Sequence, residues 1–385
     1  MLLTGNGRLA PAGLSPWALV VRDGRIAWVG HPRDAPREEV INLGTALVTP
    51  GLVDSHTHPV FAGDRSDEAA ARLEGAPYTE GGILRTVRET READDATLER
   101  LVERRLRASL AAGTTTVECK SGYGQSLDEE LRHLRLIGRV ADRVPIRVVR
   151  TFLGAHAVPP GTTMAEYAVH VADDMIPAVA AEGLADFVDV FADAGFFDLD
   201  ATERIGRAAL EAGLGLRLHA EQLTRTGAAE LGVRLGAASV DHLEQLDEAG
   251  VRTLAASSTV ATLLPGPAVV LRDRLPPART LLDAGAAVAL ASDANAGTFG
   301  SFGAMPLVVG LGATLLGMTV PEALTAATAG GAGAILLADV GVLRPGAAAD
   351  LVAWDAEHEG AFALRLGSVR PSRVWIAGEE IDLSR

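Results

Sequence analysis

Residues 50–61 read PGLVDSHTHPVF, and this stretch decides how the rest of the chain is interpreted. A Pro-Gly turn leads into a short apolar run that ends in two histidines one residue apart. Because residues i and i+2 of an extended strand point to the same side, His56 and His58 present two imidazoles on one face near the end of a strand. Two neutral imidazoles that converge on one point suit a divalent metal. Two histidines on a polar loop would give the same short pattern, so the assignment depends on what the rest of the chain supplies.

The composition excludes several classes of protein. The 385 residues are 48% hydrophobic, which is enough for a sizeable core, and their net charge of −15 disfavours nucleic acids and anionic membranes as partners. Cys119 is the only cysteine, which rules out an intrachain disulfide and a cysteine-based metal cluster. The N-terminal residues lack the features of a signal peptide, and no apolar run is long enough to span a membrane. We therefore expect a soluble cytoplasmic protein with no nucleic-acid or membrane partner.

Outward from the opening stretch, short apolar strands alternate with helices. The predicted strands are Leu52–His56, Thr115–Cys119, Ile146–Thr151, Phe187–Phe191, Leu214–His219, Ser239–Asp241, Thr259–Leu263 and Ala287–Ala291. The predicted helices are Ala96–Ala111, Leu127–Val140, Met164–Glu182, Thr202–Glu211 and Pro321–Thr328. Several helices are expected to end at Ala-Gly pairs, namely Ala112-Gly113, Ala212-Gly213, Ala249-Gly250 and Ala284-Gly285. The alternation predicts an α/β fold, a (β/α)₈ TIM-like barrel over residues 49–341.

The two ends of the chain have a different pattern. Short strands are predicted at Trp17–Arg22, Arg25–Val29, Ala46–Thr49, Leu351–Trp354 and Arg373–Ala377. A hairpin turn is predicted at Asp23-Gly24. Neither end is long enough to bury a stable core by itself. We therefore expect residues 1–48 and 342–385 to pair in one small composite β domain, a β-sandwich beside the barrel.

Five of the nine histidines fall at or just past the C-terminal ends of predicted barrel strands, and a carboxylate joins them. These residues are His56 and His58 at the first strand, His156 after the third, His219 at the fifth, His242 after the sixth and Asp293 after the eighth. In a (β/α)₈ barrel these strand ends meet on one rim, where active sites are built. Packing explains such a cluster poorly, because each buried histidine would need its own polar partner. The remaining histidines are expected to be solvated or hydrogen-bonded, and they are His31, His133, His170 and His358.

Part of this rim forms a predicted metal site. Its ligands are His56, His58, His219 and Asp293. Three nitrogens and one carboxylate suit one Zn²⁺ or Fe²⁺ and leave a position for water. Barrels that hold two metals bridge them by a modified lysine at the end of the fourth strand, but here that strand runs into Ala192-Asp193. The only lysine, Lys120, follows the second strand, where a buried ion pair with Glu118 is expected. A mononuclear site is therefore predicted.

Six segments of the chain resemble the amidohydrolase superfamily and, within it, the imidazolonepropionase family. They are PGLVDSHTHPVFAGDR at residues 50–65, KSGYG at 120–124, TFLGAHAVP at 151–159, LHAEQL at 218–223, VDHLE at 240–244 and SDANAGT at 292–298. The His-x-His pair alone marks only the superfamily, whereas KSGYG together with TFLGAHAVP is much more specific. The resemblance implies a metal-dependent hydrolase that opens the ring of 4-imidazolone-5-propanoate with water, giving N-formimidoyl-L-glutamate in histidine degradation. It also implies a homodimer.

The resemblance assigns a set of substrate-binding residues. They are Arg65, Tyr78, Tyr123, His156, Gln222, Asn295, Gly297 and Thr298. Arg65 is placed to offer a bidentate fork to the propionate of the substrate. Tyr123 can donate its hydroxyl from a glycine-flanked loop, and Gly297 would let the backbone approach the ligand. Plainer alternatives are a surface arginine at Arg65, a loop aromatic at Tyr123 and packing under the loop at Tyr78.

The expected catalytic residues are Asp293, His242 and Gln222. Asp293 takes a proton from the attacking water and later passes it to the leaving ring nitrogen, while His242 stabilises the oxyanion that develops on the ring carbonyl. Gln222 stands where some family members have a glutamate pattern, and it can hydrogen-bond the substrate but cannot take a proton. The general base is therefore Asp293 or His242. Two alternatives are another amidohydrolase or deaminase that acts on a small cyclic nitrogen compound, and a non-catalytic barrel that serves as a binding protein.

Overall fold

The computed structural model describes residues 1–75 and 81–383. The N-terminal strands are β1 Leu2–Gly5, β2 Trp17–Arg22, β3 Arg25–Gly30, β4 Val40–Asn42 and β5 Val48–Pro50. The first four form a sheet in the order β3-β2-β1-β4. The predicted hairpin turn at Asp23-Gly24 joins β2 to β3. Both turn residues have positive φ, 49° and 72°, as a type I′ turn requires.

The barrel strands follow in sequence order. They are β6 Leu52–Asp54, β7 Thr114–Lys120, β8 Arg147–Ala155, β9 Phe187–Ala192, β10 Gly215–Ala220, β11 Ser239–His242, β12 Val260–Leu263 and β13 Val288–Leu290. Each is hydrogen-bonded in parallel to the next, in one 8-stranded sheet. Nearly all their side chains are buried, as expected for parallel strands covered by helices. The predicted strands and their order are confirmed, although β8 runs on to Ala155 and β6 ends before His56.

Backbone hydrogen bonds just beyond β6 and β13 join the first strand to the last. The amide of His58 donates to Ala294 O at 2.9 Å, and the amide of Asp293 donates to His56 O at 3.0 Å. The amide of Ser292 donates to Asp54 Oδ1 at 2.9 Å. The segments that carry predicted metal ligands therefore also close the barrel.

Helices fill the connections between strands. They are α1 Ser66–Leu73, α2 Gly81–Glu92, α3 Asp95–Ala111, α4 Leu127–Ala141, α5 Met164–His170, α6 Ile176–Ala181, α7 Leu199–Glu211, α8 Ala228–Leu235, α9 Glu248–Ala255, α10 Pro265–Leu271, α11 Ala278–Asp283, α12 Met305–Leu315, α13 Val320–Thr325, α14 Gly331–Ala334 and α15 Ala361–Leu364. A π-helical turn at Val171–Met175 joins α5 to α6 within the single helix that the sequence predicts there. Among the described residues, no helix combines the length and the apolarity needed to cross a membrane.

The expectation that Ala249-Gly250 ends a helix is wrong. Both residues lie in the first turn of α9, where Asp247 Oδ1 accepts a hydrogen bond from the amide of Gly250 at 2.9 Å. Asp247 is therefore the N-cap of a helix that begins where the Ala-Gly pair predicted an end.

The C-terminal segment returns to the N-terminal one. Its strands are β14 Leu351–Trp354, β15 Pro371–Ile376 and β16 Glu379–Glu380. They extend β5 into a second 4-stranded sheet, in which β14 pairs antiparallel with β5. Leu19 of the first sheet shares a hydrophobic core with Leu351 and Trp375 of the second. The two ends of the chain thus form the expected small sandwich. Its boundaries at residues 48 and 342 stay a prediction, since β5 continues through Gly51 directly into the barrel.

Candidate metal and substrate site

The rim at the C-terminal ends of the barrel strands collects the predicted ligands. His56 and His58 lie just beyond β6, His219 lies near the end of β10, and Asp293 lies beyond β13. None of these side chains belongs to a residue more than 4% exposed. His156 joins them from the end of β8, and its ring stacks on that of His58 with the centroids 5.2 Å apart. The fold therefore brings residues from four separate strands to one place.

The distances between donor atoms suit a single tetrahedral ion. His58 Nε2 lies 3.3 Å from His56 Nε2 and 3.3 Å from Asp293 Oδ1, and His56 Nε2 lies 3.6 Å from the same oxygen. A tetrahedral zinc site with bonds of about 2.0–2.1 Å has edges of about 3.3–3.4 Å. The ring of His219 lies 4.5 Å from that of His56, and ligand atoms of these two and of His242 all lie within 4.8 Å of one another. This nitrogen and oxygen donor set fits one divalent ion of the zinc or iron kind.

Two buried aspartates that were not among the predicted site residues orient two of the histidines. Asp241 Oδ2 lies 2.6 Å from His56 Nδ1, and Asp189 Oδ1 lies 3.0 Å from His219 Nδ1. A carboxylate that accepts a hydrogen bond from Nδ1 leaves the lone pair on Nε2, which fixes the tautomer that a metal needs. A charged residue inside an otherwise apolar buried strand is the sequence signal that could have found both.

A buried charge network lies next to these aspartates. Lys120 Nζ lies 2.8 Å from Glu118 Oε1 and 2.8 Å from Asp189 Oδ2, while Arg217 Nη2 lies 2.8 Å from Asp241 Oδ2. These five residues are all 0% exposed. The expected pair of Glu118 and Lys120 is confirmed, but each cation also holds an aspartate that orients a histidine. Burial alone would raise the pKa of Asp189, but the neighbouring His219, Lys120 and Arg217 lower it well below its usual value.

Burial sets the protonation state of the proposed ligands. It lowers the pKa of His56 well below its usual value and also lowers that of His219, so both rings are neutral, which is the form that binds a metal. Burial alone would raise the pKa of Asp293, but its hydrogen bond to His58 and its interactions with the neighbouring histidine rings lower it. Asp293 therefore stays a carboxylate.

His242 has the opposite tendency. Burial alone would lower its pKa, but the carboxylates of Glu244, Asp293 and Asp241 outweigh burial and raise it. His242 Nδ1 lies 3.5 Å from Glu244 Oε1, and its Nε2 lies 4.0 Å from Asp293 Oδ2. Compared with His56, His156 and His219, whose pKa values burial lowers, this ring has surroundings that favour the protonated form.

A cavity of about 30 Å³ opens beside the donor atoms. It is lined by His58, Arg65, Ile83, Tyr123, His156, Phe191, His219, Gln222, His242, Asp293, Asn295 and Thr298. The predicted substrate residues in the described part of the chain thus line it, except Gly297, and Tyr78 lies outside the described residues. A cavity needs about 10–15 Å³ for each water molecule, so a ring that carries a propionate can enter only if lining side chains move.

Arg65 is buried rather than superficial. It is 5% exposed, and its Nε and Nη2 donate to the carboxylate of Glu68 at 2.8 and 2.6 Å. A Cβ at Gly297 would lie 2.3 Å from Arg65 Nη1, so the glycine allows the guanidinium to lie against this loop. The side chain of Asn295 holds the loop, because its Oδ1 accepts from the amides of Gly297 and Thr298 at 2.7 and 2.8 Å. The close approach expected at Gly297 is thus made by an arginine in this structure.

A buried glutamate that the motifs did not indicate shapes the KSGYG loop. Glu130, in the first turn of α4, accepts hydrogen bonds from the amides of Gly122, Gly124 and Gln125 at 2.8, 2.7 and 2.9 Å. Its carboxylate therefore fixes the loop on which Tyr123 lies, 5.2 Å ring to ring from His156.

Glu221 and Gln222 point to different places. Glu221 is 0% exposed and accepts hydrogen bonds from the amides of Thr226 and Gly227 at 2.8 and 2.9 Å. It therefore holds the following loop and does not face the cavity, whereas Gln222 lines the cavity.

Glu221, His242 and Asp293 have positive φ of 55°, 83° and 48°. Strained backbone of this kind persists where the surrounding structure fixes it, typically at functional sites.

The other histidines lie away from the rim. His31 accepts from the amide of Arg33 at 3.3 Å, His170 lies 2.7 Å from Asp174, and His358 accepts from the amide of Gly360 at 2.9 Å. These are hydrogen-bonded as expected. The expectation is wrong for His133, which is 0% exposed on α4 and has no partner for either ring nitrogen among the described residues.

Comparisons with known proteins agree with this geometry. Residues 47–381 match the family described as the amidohydrolase family. An imidazolonepropionase of Nocardia farcinica is 45% identical, over 98% of this chain and 97% of its own. An imidazolonepropionase of Shewanella amazonensis is 46% identical, over 91% of this chain and 89% of its own.

Solved structures share the fold at lower identity. A 5-methylcytosine deaminase from Klebsiella pneumoniae, liganded with phosphonocytosine, has a TM-score of 0.79 at 18% identity and covers 99% of this chain and 98% of its own. An adenosine deaminase from Xanthomonas campestris with bound zinc has a TM-score of 0.73 at 20% identity and covers 98% of this chain and 92% of its own. At such identities the likeness concerns the fold alone. The family match and the identity over nearly the full length decide the assignment: the chain belongs to the amidohydrolase family and, within it, to the imidazolonepropionases.

Proposed function

We propose that the chain hydrolyses the ring of 4-imidazolone-5-propanoate to N-formimidoyl-L-glutamate, a step of histidine degradation. The observation that carries this proposal is one small cavity lined both by a metal-type donor set, with His58, His219 and Asp293, and by the buried cation Arg65. A ring that bears a propionate needs both features, an electrophilic centre for its carbonyl and a guanidinium for its carboxylate. The relatives of that name, similar over nearly the full length, support the assignment.

The proposed metal site holds one Zn²⁺ or Fe²⁺ through His56, His58, His219 and Asp293. Such an ion, when bound, polarises a carbonyl oxygen and lowers the pKa of a water molecule towards neutrality. The chain prepares the site in advance, because buried carboxylates already fix the orientation of two ligand rings.

Asp293 is the proposed general base. It takes the proton of the attacking water and passes it to the ring nitrogen that leaves. Its carboxylate is kept ionised and lies on the cavity wall. Gln222 cannot take a proton, and the carboxylate of Glu221 is occupied by backbone amides. This leaves Asp293 as the carboxylate placed for the transfer among the described residues that line the cavity.

His242 is the proposed donor to the oxyanion that develops on the ring carbonyl. Its raised pKa favours a ring that carries a proton on both nitrogens, and a charged donor stabilises a developing negative charge more than a neutral one. Glu244 Oε1, 3.5 Å from Nδ1, is a carboxylate oxygen beside that ring, although burial raises the pKa of Glu244.

His156, Tyr123 and Arg65 are proposed to orient the substrate. His156 Nδ1 lies 3.0 Å from Gly122 O, so this nitrogen is the donor, and Nε2 of the neutral ring is an acceptor for a ring N–H of the substrate. Arg65 binds the propionate, and its bonds to Glu68 fix the plane of the guanidinium.

The test is the loss of absorbance of imidazolonepropionate on adding the metal-loaded chain, with guanine and cytosine as comparison substrates. We expect turnover of the first compound only. Asp293→Asn should lower kcat by about 100-fold or more, with the bound metal measured in parallel. Asp283→Asn, an exposed aspartate on α11, is the matched control and should be fully active. Near-full turnover in Asp293→Asn would overturn the assignment of the base, and deamination of guanine or cytosine would favour the other amidohydrolase function.

The homodimer and the cytoplasmic location stay predictions. Sedimentation equilibrium of the metal-loaded chain tests the first, with a mass twice that of the 40.0 kDa chain as the expected result.

A further inference from the structure

A second cavity, of about 650 Å³, adjoins the catalytic cavity. Arg65, Asn295 and Thr298 line both, so one layer of side chains separates the two spaces. We call the larger one the vestibule. Its lining also includes Phe61, Asp64, Arg72, Arg104, Arg105 and Phe302. It is large enough for a small organic ligand, which the catalytic cavity in this structure is not.

The vestibule is strongly cationic within an acidic protein. Among the described residues that line it are four arginines, Arg65, Arg72, Arg104 and Arg105, and one carboxylate, that of Asp64. The whole chain, by contrast, has a net charge of −15. A concave patch of one sign concentrates ligands of the other sign, and here it lies next to the proposed site for an anionic substrate.

Arg65 and Arg72 are both bound to Glu68, but the other two arginines are not compensated in this way. Arg72 Nη1 lies 2.7 Å from Glu68 Oε1. Arg104 and Arg105, on α3, have no carboxylate oxygen within 4.0 Å among residues 1–75 and 81–383. Arg104 is exposed, but Arg105 is buried, and a cation that is buried without an opposite charge is costly, so Arg105 needs an explanation.

Arg105 uses only part of its hydrogen-bonding capacity inside the protein. It is 7% exposed, and its Nη1 donates to Pro59 O and to Phe61 O, each at 2.7 Å. Its guanidinium carbon lies 3.4 Å from the centroid of the Phe61 ring and 5.4 Å from that of Phe302. A guanidinium has five N–H donors, and for those on Nε and Nη2 no acceptor occurs in the described part of the chain. Burial also lowers the pKa of Arg105 to about 9, with a smaller contribution from Arg104, which agrees with the absence of a counter-charge.

We propose that the vestibule is a second carboxylate-binding site, in which Arg105 and Arg104 hold a small mono- or dicarboxylate as it enters or leaves the catalytic cavity. The remaining Nε–H and Nη2–H donors of Arg105 form the side of the fork that matches a carboxylate bidentately. Stacking on Phe61 holds the plane of that fork. The identity of the natural ligand, an anionic substrate or its dicarboxylate product, rests on the proposed function, but binding of a carboxylate to these arginines does not.

The test is calorimetric titration of the metal-loaded full chain with glutarate, a plain dicarboxylate without a ring to hydrolyse. Arg105→Lys keeps the positive charge but removes the pair of parallel N–H donors that can bind a carboxylate. A lysine has three N–H donors, and two of them would be used by the backbone carbonyls of Pro59 and Phe61. We expect Arg105→Lys to weaken glutarate binding about tenfold or more. Arg104→Gln, at an exposed position, should weaken binding about two- to fivefold. Arg107→Gln is the matched control, because it makes the same charge change on the same helix, where Arg107 binds Glu103 and does not line the vestibule.

The outcomes separate this proposal from the proposed function. Glutarate binding that weakens in Arg105→Lys and Arg104→Gln, but not in Arg107→Gln, supports the vestibule site even if imidazolonepropionate is not turned over. Equal binding by all four proteins overturns it, even if turnover is normal. Arg104→Gln keeps the test valid if Arg105→Lys does not fold, since the exposed Arg104 makes none of the backbone contacts that Arg105 makes, and unchanged binding in Arg104→Gln alone would then count against the proposal.

Discussion

His133 gives a prediction whose size follows from the structure. The side chain is fully buried on α4, and burial, with a smaller contribution from Arg132, lowers its pKa to about 3. In the unfolded chain the pKa of a histidine is about 6.5. Between these two values the unfolded chain binds more protons than the folded one, so the free energy of unfolding falls as the pH falls. At pH 5, about 1.5 units below 6.5 and at about 1.36 kcal/mol per unit, the loss is roughly 2 kcal/mol.

His133→Leu removes both the titration and two polar atoms that lack partners in the described part of the chain. Leucine has nearly the same volume, so we expect the variant to be as stable as the native chain, or more stable, at pH 7. At pH 5 its advantage should grow by roughly 2 kcal/mol.

Urea unfolding of the metal-loaded proteins, followed by circular dichroism, gives the free energy of unfolding of the variant and of the native chain at pH 7 and at pH 5. The quantity to compare is the change in that free energy between the two pH values. The effects of all other groups cancel between the variant and the native chain. His170→Leu is the matched control, because it makes the same substitution at a histidine whose side chain is 42% exposed. An equal loss of stability between pH 7 and pH 5 in His133→Leu and the native chain would refute the reasoning.

Further predictions concern the groups that support the site. Asp241→Asn removes the charge that orients His56 and should weaken metal binding about 10- to 100-fold, measured by competition with a chelator. Glu130→Gln should raise KM for imidazolonepropionate, because the loop that carries Tyr123 is then no longer held by a carboxylate that accepts from its amides. Glu129→Gln, at the neighbouring residue, should leave KM unchanged. Removal of the metal with EDTA should lower Tm, and the same treatment should shift Tm less in Asp241→Asn, whose site is less occupied at the start.

The sequence was sufficient to predict the barrel and the meeting of the rim residues. Strands with short apolar runs alternate with helices, and parallel strands in a barrel must end on the same rim, so residues as distant as His58 and Asp293 could be placed together without coordinates. The same rule explains why His156 and His242 were expected there.

Residues that act through other residues were not predicted. Asp189 lies outside the family segments and Asp241 lies inside one without a role assigned to it, and the role of each depends on which histidine nitrogen lies 2.6–3.0 Å away, a distance that only the packed barrel fixes. Glu130 lies in a predicted helix, and the amphipathic pattern of that helix does not indicate that its carboxylate binds the amides of the KSGYG loop. His133 was expected to be solvated or hydrogen-bonded, and its burial was missed because a lone histidine on a helix does not indicate whether its face of the helix is buried.

The closure of the barrel has a consequence for how the polypeptide is made. The backbone bonds that complete the ring join residues 56 and 58 to residues 293 and 294. Until the nascent chain has grown past residue 294, it therefore lacks part of the segment that closes the barrel. That segment also carries one of the proposed metal ligands, Asp293. Strand β5 can form its pairing with β14 only later still, because β14 begins at Leu351. The growing polypeptide thus cannot complete a reactive centre on the ribosome until most of its length has emerged.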